Sequence, residues 1–242
     1  MKERISLGEW SEEKIEGLLK EAPRPTEERI AFLSRTFLSS PYKEAPLSPP
    51  GEEVLVIDLE GFDCFTYLDT VEALRLSNSF AEFKKNLVRV RYKDGEVSYA
   101  RRNHFFSDWA WWNRGLIFDA TNAIGESHTR LATKTLNVAE DGSFIVQGIP
   151  PTKRQIRFVP SDCLPSCLDR LKTGDYIGIY TSRPGLDCCH VGIFIRGEGG
   201  LILRHASSRA GTVVDEDFEH YMKDKEGVVV LRPKDPSLPF QS

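Results

Sequence analysis

Four short apolar runs crowd the last third of the chain: DYIGIYT (175–181), HVGIFI (190–195), LILRHA (201–206) and GVVVLRP (227–233). Each is rich in β-branched residues and bounded by Gly, Pro or charge, so each reads as a strand. The first forty residues follow a different period and read as two helices. Ser11 is placed to cap EEKIEGLLKE, with Ile15, Leu18 and Leu19 on one face. Thr26 is placed to cap a second helix carrying Ile30, Leu33 and Phe37, and Pro41 opens a proline-rich surface connection, SSPYKEAPLSPPG. EEVLVIDL reads as a strand that runs straight into a helix beginning at Cys64. Ser79 and Glu82 have capping-box spacing for a further short helix. VRVRYKDGEVSYA, with Val88, Val90 and Tyr92 alternating with arginines, predicts a hairpin turning at Asp94-Gly95, and Asp141-Gly142 marks a second hairpin. Helices followed by a strand meander predict an α+β domain with an antiparallel sheet. Residues 1–48 are expected to form an N-terminal helical extension packed on a main domain of residues 49–242.

Composition narrows the function classes. The 32 basic and 36 acidic residues leave a net charge of −4, which offers no footprint for nucleic acid or an anionic membrane. No apolar run has the length of a membrane span, and the start, MKERISLGEW, lacks the apolar stretch of a secretory signal. A cytoplasmic location is expected, or an envelope location if a signal was removed ahead of residue 1. Five cysteines are an odd, sparse set that does not read as a disulfide framework and points to a reduced compartment.

Cys64 is the residue that raises the question of chemistry. A free cysteine is commonly a small buried hydrophobe. Here Asp63 is suited to be an N-cap, which makes Cys64 the first helical residue. The positive end of the macrodipole and the amide N–H groups at that turn favour a thiolate and an oxyanion. A nucleophile also needs a base. His190 opens one strand after a loop, and His205 ends the next strand beyond RGEGG. Each alone reads as a strand-end residue. Side by side, one could hold the other's ring by its second nitrogen.

DCFTYLDTVEAL, GDYIGIYT, HVGIFI and LRHASS occur in this order, and together they resemble the NlpC-type papain-like cysteine peptidases of bacterial cell walls. The resemblance implies a papain-like fold, with the catalytic helix packed on the sheet. It implies Cys64 as nucleophile, His190 as general base and His205 as orienting residue, with Gly174 and Asp175 structural. The long separation of Cys64 from His190, the DCFTY start and RRNHFFSDWAWWN make the chain similar to the N-acetylmuramyl-L-alanine amidase-like branch. That similarity implies hydrolysis of the amide between N-acetylmuramic acid and L-alanine in (1,6-anhydro) muropeptides. The partners are then peptidoglycan fragments, and no cofactor is expected. Endopeptidase action on the stem peptide is the alternative within the superfamily.

RRNHFFSDWAWWN places three tryptophans among polar side chains. It reads either as core with a partly exposed lid or as a sugar platform. The expected substrate contacts are Asp63, Arg102, Asn103, His104 and Trp109. Cys163 and Cys167, with Cys188 and Cys189 beside His190, could be imagined as a zinc site, but paired C-x-x-C knuckles are missing. No metal is therefore expected, and a zinc or non-catalytic peptidoglycan-binding module is the reading from a different class. His128 and His220 are expected at the surface.

Overall fold

The computed structural model describes residues 2–49, 51 and 53–235; Pro50 of the expected connection and Glu52 of the expected strand lie outside these. The chain divides into two compact units. One comprises residues 2–102 with Arg204–Asp215; the other comprises Asn103–Leu203 with Glu216–Lys234.

The first unit opens with β1 (Glu3–Ser6), α1 (Glu12–Glu21), α2 (Thr26–Arg35), β2 (Leu55–Asp58), α3 (Cys64–Arg75) and α4 (Phe80–Arg91). β1 pairs in parallel with β2. Ser11 caps α1 by accepting from Lys14 N at 3.2 Å, and Ile15 and Leu19 are buried as the spacing predicts. Thr26 is not the cap of α2. It is the first helical residue, because Pro25 occupies the cap position with its preset φ of −57°. Ile30, Leu33 and Phe37 are all buried.

The helix that Cys64 heads has no solvent face beyond its first turn. Every residue from Thr66 to Arg75 is buried, three charged ones included. These charges survive burial because each has a partner. Arg75 donates through Nε and Nη2 to the two oxygens of Glu72, both at 2.7 Å. Arg91 on α4 donates to Asp69 at 2.9 Å and to Val56 O at 2.6 Å, joining α4, α3 and β2. Arg29 on α2 donates to the carbonyls of Ala22, Arg75 and Ser77, which satisfies chain ends that α1 and α3 leave open.

The predicted hairpin at VRVRYKDGEVSYA is overturned. Residues 80–91 form one helix, in which Phe80, Phe83, Leu87 and Val90 bury a face of helical spacing and Ser79 caps Glu82 N at 3.2 Å. The local Val/Arg alternation yields to that longer period. Asp94 and Gly95 do take positive φ, 56° and 69°, but in a turn after the helix.

The second unit contains α5 (Phe106–Trp112), β3 (Ile117–Asp119), α6 (Thr121–Gly125), β4 (Arg130–Leu136), β5 (Thr152–Pro160), β6 (Tyr176–Tyr180) and β7 (Cys188–Gly197). β8 (Gly200–Ser207) and β9 (Thr212–Asp217) begin or end in the first unit, and α7 (Phe218–Met222) and β10 (Gly227–Pro233) close the second. Strand order is β4-β5-β10-β6-β7-β8-β9, with β3 beside the far end of β10. β10 pairs antiparallel with β3, β5 and β6, as do β4 with β5 and β6 with β7, so the predicted α+β class and the four late strands hold. Asp141-Gly142 lies in a tight turn inside the β4–β5 connection, where Ala139 N donates to Ser143 O at 2.9 Å. Asp175 is buried and takes both arms of Arg232 at 2.7 Å, which is the structural role expected of it.

Asp69→Ala should leave the Arg91 guanidinium without its carboxylate and cost about 3–5 kcal/mol in urea unfolding. A loss below about 1 kcal/mol would show that the pair does not hold α3 and α4 together.

Candidate active site

Cys64 stands where the sequence puts it. Asp63 takes an extended conformation (ψ 177°), and its Oδ1 accepts from Phe65 N at 3.0 Å, Thr66 N at 2.7 Å and Thr66 Oγ1 at 2.8 Å. Thr66 Oγ1 in turn accepts from Asp63 N at 3.0 Å, closing a reciprocal capping box. Asp63 Oδ1 is therefore committed to the helix start. The half-buried Cys64 thiol sits on the first turn, where the macrodipole is positive.

A second group beside this thiol is not legible in the sequence. Pro41–Lys43 runs along residues 60–62: Phe62 N donates to Pro41 O at 3.0 Å and Lys43 N to Phe62 O at 2.9 Å. The approach needs Gly61, since a Cβ there would lie 2.6 Å from Pro41 O. Tyr42, paired with Phe62, is thereby brought beside the helix start. Burial, then the charges of Cys64 and Asp63, hold its phenol above the ordinary pKa, so it is a hydrogen-bond donor at neutral pH. Tyr42 lies in a proline-rich stretch with no periodic signal, and only the backbone pairing reveals it.

His205 belongs to the same unit and is 1% exposed. Burial, then the nearby Arg209 charge, lowers its pKa to about 4, with Asp215 opposing. Its neighbour Arg204 donates to both oxygens of Asp215, at 2.7 and 2.8 Å, and to Ser34 Oγ and Ala31 O at 3.0 Å. Ser34 O accepts the Tyr67 hydroxyl from α3 at 2.8 Å, so a short relay ties β8 to α2 and α3.

His190 lies in the second unit, half-buried near the start of β7 and opposite Ile179. Its ring is 6.2 Å from that of Tyr221. The register shift beside it leaves Cys189 exposed at the irregularity. Cys188 turns to Gly178, where a Cβ would come within 2.6 Å of its Sγ. Burial, then the Asp187 charge, pushes the Cys188 thiol well above its usual range. Cys188 is thereby held as the neutral thiol. Cys167 is core. Among the described residues, no group of three or more His, Cys, Asp and Glu side chains is placed to hold a metal ion, and the imagined cysteine–histidine zinc set is not assembled.

The aromatic stretch divides by helix face. Trp109 is fully buried, stacked on Phe106 at 6.0 Å and edge-on to Tyr176 at 5.4 Å. The expectation that it contacts substrate is corrected: helical spacing puts Phe106 and Trp109 on the inner face, while Trp111 turns outward, 58% exposed. Arg102 is engaged by Glu53, at 2.5 and 3.2 Å, and by Ser48 O at 2.9 Å. Asn103 is buried and His104 half-buried. His128 and His220 are exposed, as expected.

A family model described as AmiA-like, N-acetylmuramoyl-L-alanine amidase-like, matches residues 32–228. The chain belongs to this amidase-like family. Two crystal structures of an N-acetylmuramoyl-L-alanine amidase from Bacteroides uniformis align at 29% and 28% identity, with TM-scores of 0.73 and 0.75. Each alignment covers 86% of this chain and 99% of that one. A candidate xylanase from Bacteroides fragilis aligns at 30% identity, TM-score 0.70, over 83% of this chain and 98% of that one. A Legionella pneumophila protein shares the fold at 24% identity and TM-score 0.79, over 94% of this chain and 95% of that one. No curated protein matches the sequence.

Within this amidase-like chain, His205 has a distinctive titration. An unfolded chain protonates a histidine near 6.5, whereas the folded ring stays neutral to about 4. Its contribution to stability is therefore complete above 6.5 and is lost as pH falls towards 4. NMR titration should show the His205 ring unmoved from about pH 8 to 5. A midpoint near 6.5 would contradict the buried, neutral state.

Proposed function

We propose that the chain is a cysteine amidase that hydrolyses the N-acetylmuramoyl-L-alanine bond of muropeptides, 1,6-anhydro forms among them, and that its catalytic units share the papain-like, NlpC-type plan. The observation that carries the reading is Cys64 at the first turn of an Asp63-capped helix, in a chain of the amidase-like family. In this reading the Cys64 thiolate attacks the lactyl carbonyl of the muramic acid. Backbone N–H groups at the helix start, with the Tyr42 hydroxyl beside them, donate to the oxyanion. Protonated His190 delivers its proton to the alanine nitrogen as the C–N bond breaks, leaving an acyl-thioester. Neutral His190 then takes a proton from water, whose oxygen attacks the thioester and frees the muramic acid and the thiol.

His205, neutral at physiological pH, is suited to hold the His190 ring in one tautomer. Asn103 and His104 are proposed to recognise the sugar end, with Trp111 rather than Trp109 as the exposed aromatic surface. The proposed substrate is a fragment of peptidoglycan, and the proposed chemistry uses the chain's own groups and water, with no cofactor. Among the described residues no helix is long and apolar enough to cross a membrane.

Mass spectrometry of the products from anhydro-N-acetylmuramyl-tetrapeptide should show intact tetrapeptide and free anhydro-sugar, with the sugar-free tetrapeptide left uncut. A shortened peptide from either substrate would make the chain an endopeptidase. Cys64→Ala should reduce turnover to background, and His190→Ala should lower kcat by about 10²–10⁴-fold. Cys163→Ala should be silent. Equal losses in the Cys64 and Cys163 variants would overturn the assignment.

A further inference from the structure

The second unit holds a cavity of about 710 Å³, bordered by Trp111, whose other lining residues have no part in the reaction scheme above. Its volume is that of a site for a small organic ligand. The floor is apolar, formed by Phe106 of α5, Ile156 of β5, and Val229 and Leu231 of β10. The polar groups are arranged unevenly around that floor.

At one end stand Ser107 and Asp187. The Asp187 carboxyl accepts from the backbone N–H groups of Ser107 and Cys188, each at 2.7 Å. The buried Ser107 hydroxyl also lies against the Asp187 carboxyl, and its oxygen keeps lone pairs free for a bound donor. This end offers oxygen atoms to an N–H donor.

Around the rest of the cavity the sign reverses. Arg114, Lys153, Arg154 and Arg157 face two carboxylates, Asp119 and Asp187. Arg154 is held by Asp108 at 2.6 Å, and Arg157 comes no closer to Asp119 than 3.7 Å. Arg114 and Lys153 meet no carboxylate among the described residues. Arg114 lies 5.1 Å over the ring of Trp111, which keeps its guanidinium on the rim. Arg114 and Lys153 over an apolar floor, with an acceptor end, suit a ligand that carries carboxylates, a short apolar body and amide or ammonium N–H groups.

We propose that this cavity binds the acidic stem peptide of the muropeptide, its carboxylates on Arg114 and Lys153 and an N–H group at Ser107 and Asp187. The identity of the peptide rests on the amidase reading; the preference for a carboxylate-bearing peptide rests on the cavity alone.

The test uses the unaltered full chain and the free tripeptide L-Ala-γ-D-Glu-meso-diaminopimelate in isothermal titration calorimetry. Saturable binding is expected, weakened at least about tenfold when the peptide's carboxylates are amidated. The same loss is expected in the double variant Arg114→Ala/Lys153→Ala, and binding should weaken as salt rises. Both side chains are exposed, and an unchanged melting temperature will report that the variant folds. Ser107→Val provides an independent arm from the other end of the cavity and should weaken binding several-fold. Equal affinity for the amidated peptide, or undiminished binding in the double variant, would overturn the proposal. The amidase reading is scored separately by release of anhydro-sugar from the muropeptide. Sugar release without tripeptide binding sinks the cavity proposal alone. Tripeptide binding without sugar release supports the cavity and sinks the amidase.

Discussion

The Asp63 capping box is the contact on which the first unit's proposed chemistry depends. One carboxylate oxygen takes two backbone N–H groups and one hydroxyl, and so defines where α3 begins. Had the helix begun one residue later, Cys64 would occupy the cap position and lose its place on the first turn. The cap contributes about 1 kcal/mol to stability, a small term. Its larger effect is positional, because it directs the residue after it to the positive end of a helix whose remaining length is entirely buried.

Burying that helix imposes a second constraint. Asp69, Glu72 and Arg75 could not sit inside without partners, and the partners come from the helix itself and from α4. Arg204 extends the scheme to β8: it pairs with Asp215 and reaches Ser34, the residue whose carbonyl takes the Tyr67 hydroxyl. His205, next in sequence, inherits a fixed and dry position. The same burial that encloses the ring keeps it neutral, the state that the proposed orienting role calls for.

Much of this is legible in the sequence where a local rule has no rival. Asp63 before Cys64 is an N-cap by residue type, and the late strands are short apolar runs with clear punctuation. Reading fails where two periods compete. Val88 to Tyr92 alternate like a strand, yet Phe80, Phe83, Leu87 and Val90 repeat like a helix, and all four of these are buried. Trp109 and Trp111 are alike in sequence and opposite in burial, a difference set by the helix phase. Tyr42 is invisible because its position depends on a backbone approach permitted by Gly61, nineteen positions away by number and adjacent in space. The cavity of the second unit likewise draws on α5, β3, β5 and β10, whose association no single motif records.

The central claim is that Cys64 is the reactive thiol, and partial alkylation tests it most directly. The chain would be treated with sub-stoichiometric iodoacetamide at pH 7, and the labelled peptides quantified alongside residual hydrolysis of anhydro-muropeptide. The account predicts that Cys64 is labelled first, ahead of the exposed Cys189, and that activity falls in proportion to the Cys64 label alone. Loss of activity tracking Cys163 or Cys189, or full activity with Cys64 alkylated, would contradict it.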